Sequence, residues 1–126
     1  MNDFILKASR LIGEIQQLSV LVHMQTEMGC QFDFRSHVAS VEFDLTPTKE
    51  IFNKRHNEIP PEELISSNFY IKVNKYWNSD DQAKQKTLAR LLKIKRLLVN
   101  ALKERGIDYG KLDYTIETVE YKQYVI

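Results

Sequence analysis

The apolar residues of this 126-residue chain change their spacing twice. They recur first every three or four positions, then every second position, then every three or four again. Such a pattern builds a helix, a group of strands and a second helix. Phe4, Ala8, Leu11, Ile15, Leu18 and Val22 step by 4, 3, 4, 3, 4 and share one face of a helix. It is predicted from about Asp3 to somewhere between His23 and Met28. Ile5 and Ile12 widen the stripe. Asn2 or Asp3 caps its start, and Gly29 stands where such a helix would end. Leu88, Leu91, Leu92, Ile94, Leu98, Val99 and Leu102 form the second seam. Its helix begins at Asn78-Ser79-Asp80-Asp81, runs to about Arg105 and stops at Gly106.

Between the helices the period is two. Cys30, Phe32 and Phe34 alternate with Gln31 and Asp33, and Ala39, Val41, Phe43 and Leu45 with Ser40, Glu42 and Asp44. Both runs predict half-buried strands. A two-residue turn at Ser36-His37 would pair Phe34 with Ala39 and Phe32 with Val41, all facing the core. Pro47 ends the second strand. Residues 46–67 form a long connection, with short helical turns expected at Thr48–Lys54 and from Pro60 to Ile65. A third strand is predicted from Asn68 to Trp77, with Phe69, Ile71 and Val73 on one side. Leu112 to Ile126 reads as a last strand with a bulge near Thr118-Val119. The order α-β-β-β-α-β implies one α+β domain over residues 1–126. Its mostly antiparallel sheet packs in two layers on two long amphipathic helices.

Eighteen basic and seventeen acidic residues give a formal charge of +1, so no global field selects nucleic acid or an anionic membrane. No apolar run is long enough to span a bilayer, and the N-terminus has no secretory pattern. A single Cys forms no internal disulfide, which points to a reducing, cytoplasmic setting. Cys30 falls on the core side of its strand, as a buried structural thiol would. His23, His37 and His56 lie on three different elements and lack zinc-ligand spacing, so no metal or cofactor is expected. His23 is expected at the helix surface or end. There is no phosphate-binding Gly-rich loop, G-x-S-x-G elbow or H-E-x-x-H. Glu62-Glu63 and Asp80-Asp81 fit helix starts better than paired catalytic acids. The expectation is a protein that is not an enzyme.

Charge is segregated instead. Residues 79–105 carry eight basic and three acidic side chains, against ten and fourteen in the remainder. At 100° per residue, Lys86, Arg90, Lys93 and Arg96 fall opposite the leucines. Asn100 and Lys103 extend this row. It is either a solvated helix face or a partner-binding stripe for nucleic acid or an acidic protein surface. Lys95 falls inside the leucine seam. Either its stem snorkels at the edge of the layer, or it meets a buried partner such as Glu14, or it marks helix register or a dimer seam. Tyr70, Lys72, Tyr76 and Trp77 interleave aromatic and basic residues as a stacking platform does, although strand propensity alone also favours Tyr there. Monomer and homodimer both remain open.

Phe32-Asp33-Phe34-Arg35-Ser36-His37-Val38, followed by Val41 and Phe43, resembles the F-x-F-S-G-H-V-x-x-L-x-V hairpin of small phage and prophage proteins. Tyr76-Trp77-Asn78 and the helix after it are similar to the Trp-containing strand end and C-terminal helix of those proteins. Arg35 and Ser36 stand where the pattern has Ser and Gly. The resemblance implies an accessory protein of a mobile element. Such a protein acts in the host cytoplasm by occupying a protein or nucleoprotein surface, for example as an anti-CRISPR inhibitor of a defence nuclease. The α-β-β-β-α order also resembles double-stranded-RNA-binding domains, and Lys84-Gln85-Lys86 echoes their basic helix start. That implies a nucleic-acid-binding module as the alternative, although the 46–67 connection and the extra strand depart from it.

Overall fold

The computed structural model describes residues 3–35, 39–71 and 81–109. Helix α1 spans Asp3–Gln25, strands β1 and β2 span Gly29–Arg35 and Ser40–Thr46, and a single-turn α2 spans Lys49–Phe52. Two 3-10 turns, His56–Glu58 and Pro61–Glu63, lead into β3 at Ile65–Tyr70, and α3 spans Asp81–Glu104. The strands form an antiparallel sheet in the order β1-β2-β3. The long helices cover one face of it, giving the two-layer α+β arrangement. The expected strand from Leu112 to Ile126, the stretch Lys72–Trp77 and the cap residues Asn78, Ser79 and Asp80 lie outside the described residues, as do Ser36, His37 and Val38.

Helix α1 buries Phe4, Ala8, Ile15, Leu18 and Val22, with Leu11 and Ile12 half-buried beside them. Ser19 is buried on the same face and satisfies itself by donating to the Gln16 carbonyl at 2.8 Å. Thr26, rather than Gly29, finishes the helix. Its hydroxyl donates to the Val22 carbonyl at 2.6 Å and accepts the Met28 N–H at 3.0 Å. Gly29 instead opens β1, where a Cβ would overlap the Phe52 side chain and the Thr46 hydroxyl. It is glycine because α2 lies against it.

Helix α3 places Leu91, Ile94, Leu98, Ala101 and Leu102 in the core. Leu92, expected in the seam, is 38% exposed, and Ala101 takes its place on the buried face. The centre of the seam lies along Leu91, Ile94, Leu98 and Ala101, and Leu92 falls outside it. Gly106 terminates the helix as predicted, with φ +67°. The Gly106 N–H donates to the Lys103 carbonyl and the Ile107 N–H to the Leu102 carbonyl, both at 3.0 Å. This is the Schellman arrangement, and Ile107 packs back on the core as that motif favours.

The hairpin register differs from the expected one by two residues. Phe34 pairs with Val41, Phe32 with Phe43 and Cys30 with Leu45. A shift of two keeps every side chain on its face, so the core face is still Cys30, Phe32, Val41, Phe43 and Leu45. Phe34 is the exception. It is 42% exposed, because it sits near the end of β1 at the rim of an open groove beside Ile5 and Ile12 of α1. The third strand begins at Ile65, three residues earlier than predicted, since Ile65, Ser66 and Ser67 pair with Leu45, Asp44 and Phe43. The opposite face of the sheet carries Gln31, Asp33, Glu42, Asp44, Ser66, Asn68 and Tyr70. The two long helices and the inner sheet face thus close one core around Ile15, Val22, Val41, Phe43, Leu91, Leu98 and Leu102. Full burial of each such side chain is worth roughly 1.5–3 kcal/mol.

Candidate functional site

The cations of α3 and of the turn that follows it differ in what they meet. Toward α1, Lys95 Nζ meets Glu14 Oε2 at 2.5 Å. This is the partner that its place in the seam suggested, although both side chains remain more than a third exposed. Past the helix end, Arg105 grips Glu27, with Nε 3.1 and 3.0 Å from the two carboxylate oxygens and Nη2 on Oε1 as well. Arg105 Nη1 also donates to the Ala101 carbonyl at 2.8 Å. Hydrogen bonding to that guanidinium holds the Glu27 carboxyl at about 2, well below its ordinary value. The same pair raises the Arg105 pKa.

Lys84 and Lys103 meet no carboxylate among the described residues, and Lys86, Arg90, Lys93 and Arg96 form the group expected from the sequence. All four are exposed, and among the described residues none meets a carboxylate. They do not form one uniform row opposite the leucines. Arg90 leans toward the sheet, with its guanidinium carbon 5.4 Å from the centre of the Phe69 ring, in cation–π range. Arg90 and Lys93 line a groove of about 390 Å³ between α3 and β3. Phe43, Ile94 and Leu97 give it an apolar floor, and Ser66, Ser67 and Asn68 a polar wall. Lys86 and Arg96 stand on the same helix outside that groove. The sequence located the four cations, but neither the groove nor the Phe69 contact is visible before β3 is placed beside α3.

Two polar clusters elsewhere contain the chemistry-bearing side chains. On the outer sheet face Asp44 accepts from Ser66 Oγ at 2.8 Å and lies 3.2 Å from His56 Nε2. The carboxylate stands between the hydroxyl and the imidazole, so the serine is not in the direct contact with histidine that a Ser–His pair makes. His23 lies in the last turn of α1, the helix-end position expected for it, and ties the helix to β1. Its Nδ1 accepts the Cys30 backbone N–H at 3.1 Å, and its ring meets Phe52 edge-on at 5.2 Å. The Cys30 thiol is buried, which together with nearby Asp44 pushes it up to about 12, the reverse of an activated nucleophile. Tyr70, from the expected stacking group, is 65% exposed on the outer sheet face. Among the described residues no three His, Cys, Asp or Glu side chains form a metal-ligand set, and no helix is long and apolar enough to cross a membrane. No protein-family model, curated protein or solved structure matches this chain.

Proposed function

We propose that this chain is a non-enzymatic binding protein that occupies an acidic protein or nucleoprotein surface through Lys86, Arg90, Lys93 and Arg96. One observation carries this reading. Lys95 and Arg105 are paired with Glu14 and Glu27, whereas Lys86, Arg90, Lys93 and Arg96, like Lys84 and Lys103, meet no carboxylate among the described residues. Like charges one turn apart on a helix repel, and an acidic partner converts that repulsion into attraction. The hairpin resemblance supports placing the partner in the host of a mobile element, a defence nuclease being one case.

Charge reversal by Arg90→Glu with Lys93→Glu tests the proposal, because both residues are exposed and their loss leaves the seam intact. Capture from host lysate with the full chain should yield a partner that survives nuclease treatment, weakens as salt rises, and is lost with the double reversal. A nucleic-acid partner would give a log–log salt slope near −0.9 per neutralised phosphate and would vanish with nuclease. Undiminished capture by the reversed variant overturns the assignment of these residues.

A further inference from the structure

One wall of the α3–β3 groove is the outer edge of a sheet. Among the described residues β3 pairs with β2 alone. The Ile71 N–H donates to the Ala39 carbonyl at 2.7 Å, one position beyond the Ser40–Tyr70 pair. Hydrogen-bonded pairs alternate along an antiparallel ladder. Phe69 and Ser67 therefore share the phase of Ile71 and direct their main-chain groups to β2. Those of Ser66, Asn68 and Tyr70 point the other way. An outward row of N–H and C=O groups is a template for another strand.

A strand added there would alternate its side chains between the two faces of the sheet. Those on the helix side would lie over Phe43, Ile94 and Leu97 and reach Arg90 and Lys93. Those on the other side would lie beside Asn68 and the exposed Tyr70. The existing charges distinguish the two positions. The outer face holds Asp33, Glu42 and Asp44 against Arg35 alone among the basic strand residues, whereas the helix side offers cations that meet no carboxylate among the described residues.

We infer that the outer edge of β3 accepts an extended acidic segment of a partner protein as an added strand. Its carboxylates fall at alternate positions and meet Arg90 and Lys93. This rests on the basic-face reading and deepens it by naming the partner's local structure. Its main-chain half is closed to a nucleic acid, which has no peptide ladder to offer.

The test uses the full chain and the probe peptide acetyl-Gly-Glu-Val-Glu-Val-Glu-Gly-amide. Two further versions are N-methylated, one at the valines and one at the glutamates. Alternate residues of a strand direct their N–H groups to the same edge, so one methylated version should lose binding at least about tenfold while the other keeps it. Amide exchange at Ser66, Asn68 and Tyr70 should be fast in the free chain and slow by about tenfold or more on saturation with the unmethylated peptide. Arg90→Glu with Lys93→Glu should weaken that peptide by at least about tenfold.

Failure of the probe to bind at millimolar concentration overturns the inference, as does protection of the three amides before any peptide is added. Equal binding by all three peptides would leave the basic-face reading standing and remove strand addition. Equal binding by wild type and the double reversal would remove both. A duplex oligonucleotide that binds more tightly than the peptide and leaves the three amides exchanging would assign the groove to nucleic acid instead.

Discussion

Phe43 and Phe34 carry the same ring on the same face of one sheet, yet truncating them should have very different costs. Phe43 is fully buried in the central strand, between Phe32 on β1 and Ser67 on β3. Its transfer term is about 1.5–3 kcal/mol. The flanking strands and the two helices restrict collapse around the space left behind, so the cavity term brings Phe43→Ala to about 3–5 kcal/mol. Phe34 is 42% exposed and lies at the rim of an open apolar groove of about 340 Å³, with Ile5, Ile12 and Ile71. Little more than half of its transfer term is at stake and no closed cavity forms, so Phe34→Ala should cost about 1–2 kcal/mol. Urea denaturation of the full chain compares the two directly. The midpoint should fall at least about twice as far for Phe43→Ala, with both slopes equal to wild type. Equal losses, or a larger loss at Phe34, would refute the assignment of β1 and the open rim.

The remaining expectations are smaller in scale. A double-mutant cycle with Glu14→Gln and Lys95→Met should give a coupling of about 0.2–1 kcal/mol, because both partners are over a third exposed; a value above about 2 kcal/mol would mean the pair is desolvated. Gly29→Ala should destabilise by about 1–3 kcal/mol through overpacking against Phe52 and Thr46, and an unchanged urea midpoint would show that α2 yields freely. Glu27 is held at about 2 in the folded chain against an ordinary 4.5. The unfolded chain therefore binds more protons between those values. The contribution is complete above about 4.5 and is lost as pH falls toward 2. Urea midpoints measured across that window should fall less steeply for Glu27→Gln than for wild type, and parallel curves would show that the grip on Arg105 is not maintained in solution. The Cys30 thiol, pushed up to about 12 by burial, should alkylate slowly at pH 8 and rapidly once urea unfolds the chain; rapid labelling of the native protein would contradict its burial.

Side-chain faces were legible in the sequence, and the relations between elements were less so. Alternation assigned Phe32, Val41 and Phe43 to the core because a strand's faces repeat every two residues. The same arithmetic is blind to a slip of two, and the hairpin lacks the Asn-Gly signature that would have set its register. Ala39 instead takes a left-handed conformation at φ 49°, which its residue type does not announce. The sequence places Ile65 at the end of a short helical turn and Ser66-Ser67 in the connection, and all three become strand because β2 offers them a partner. Gly29 fits a helix stop as well as a strand start until Phe52 is seen against it. At the candidate site, the segregation of Lys86, Arg90, Lys93 and Arg96 was visible as charge periodicity. That Arg90 stacks on Phe69, and that a strand edge runs beside it, are tertiary facts.

The core of this fold closes only when α3 arrives. Ile15, Val22 and Phe43 belong to elements that precede the 46–67 connection, yet their cover comes from Leu91, Leu98 and Leu102 near the other end of the described chain. During synthesis the ribosome releases α1 and the hairpin first, with the apolar surface that α3 will cover still bare, and the covering helix later. The nascent chain therefore carries that surface unprotected until α3 has emerged. A stop codon before Asp81 would yield a fragment in which α1 still packs on β1 but the apolar surface that α3 covers stays open.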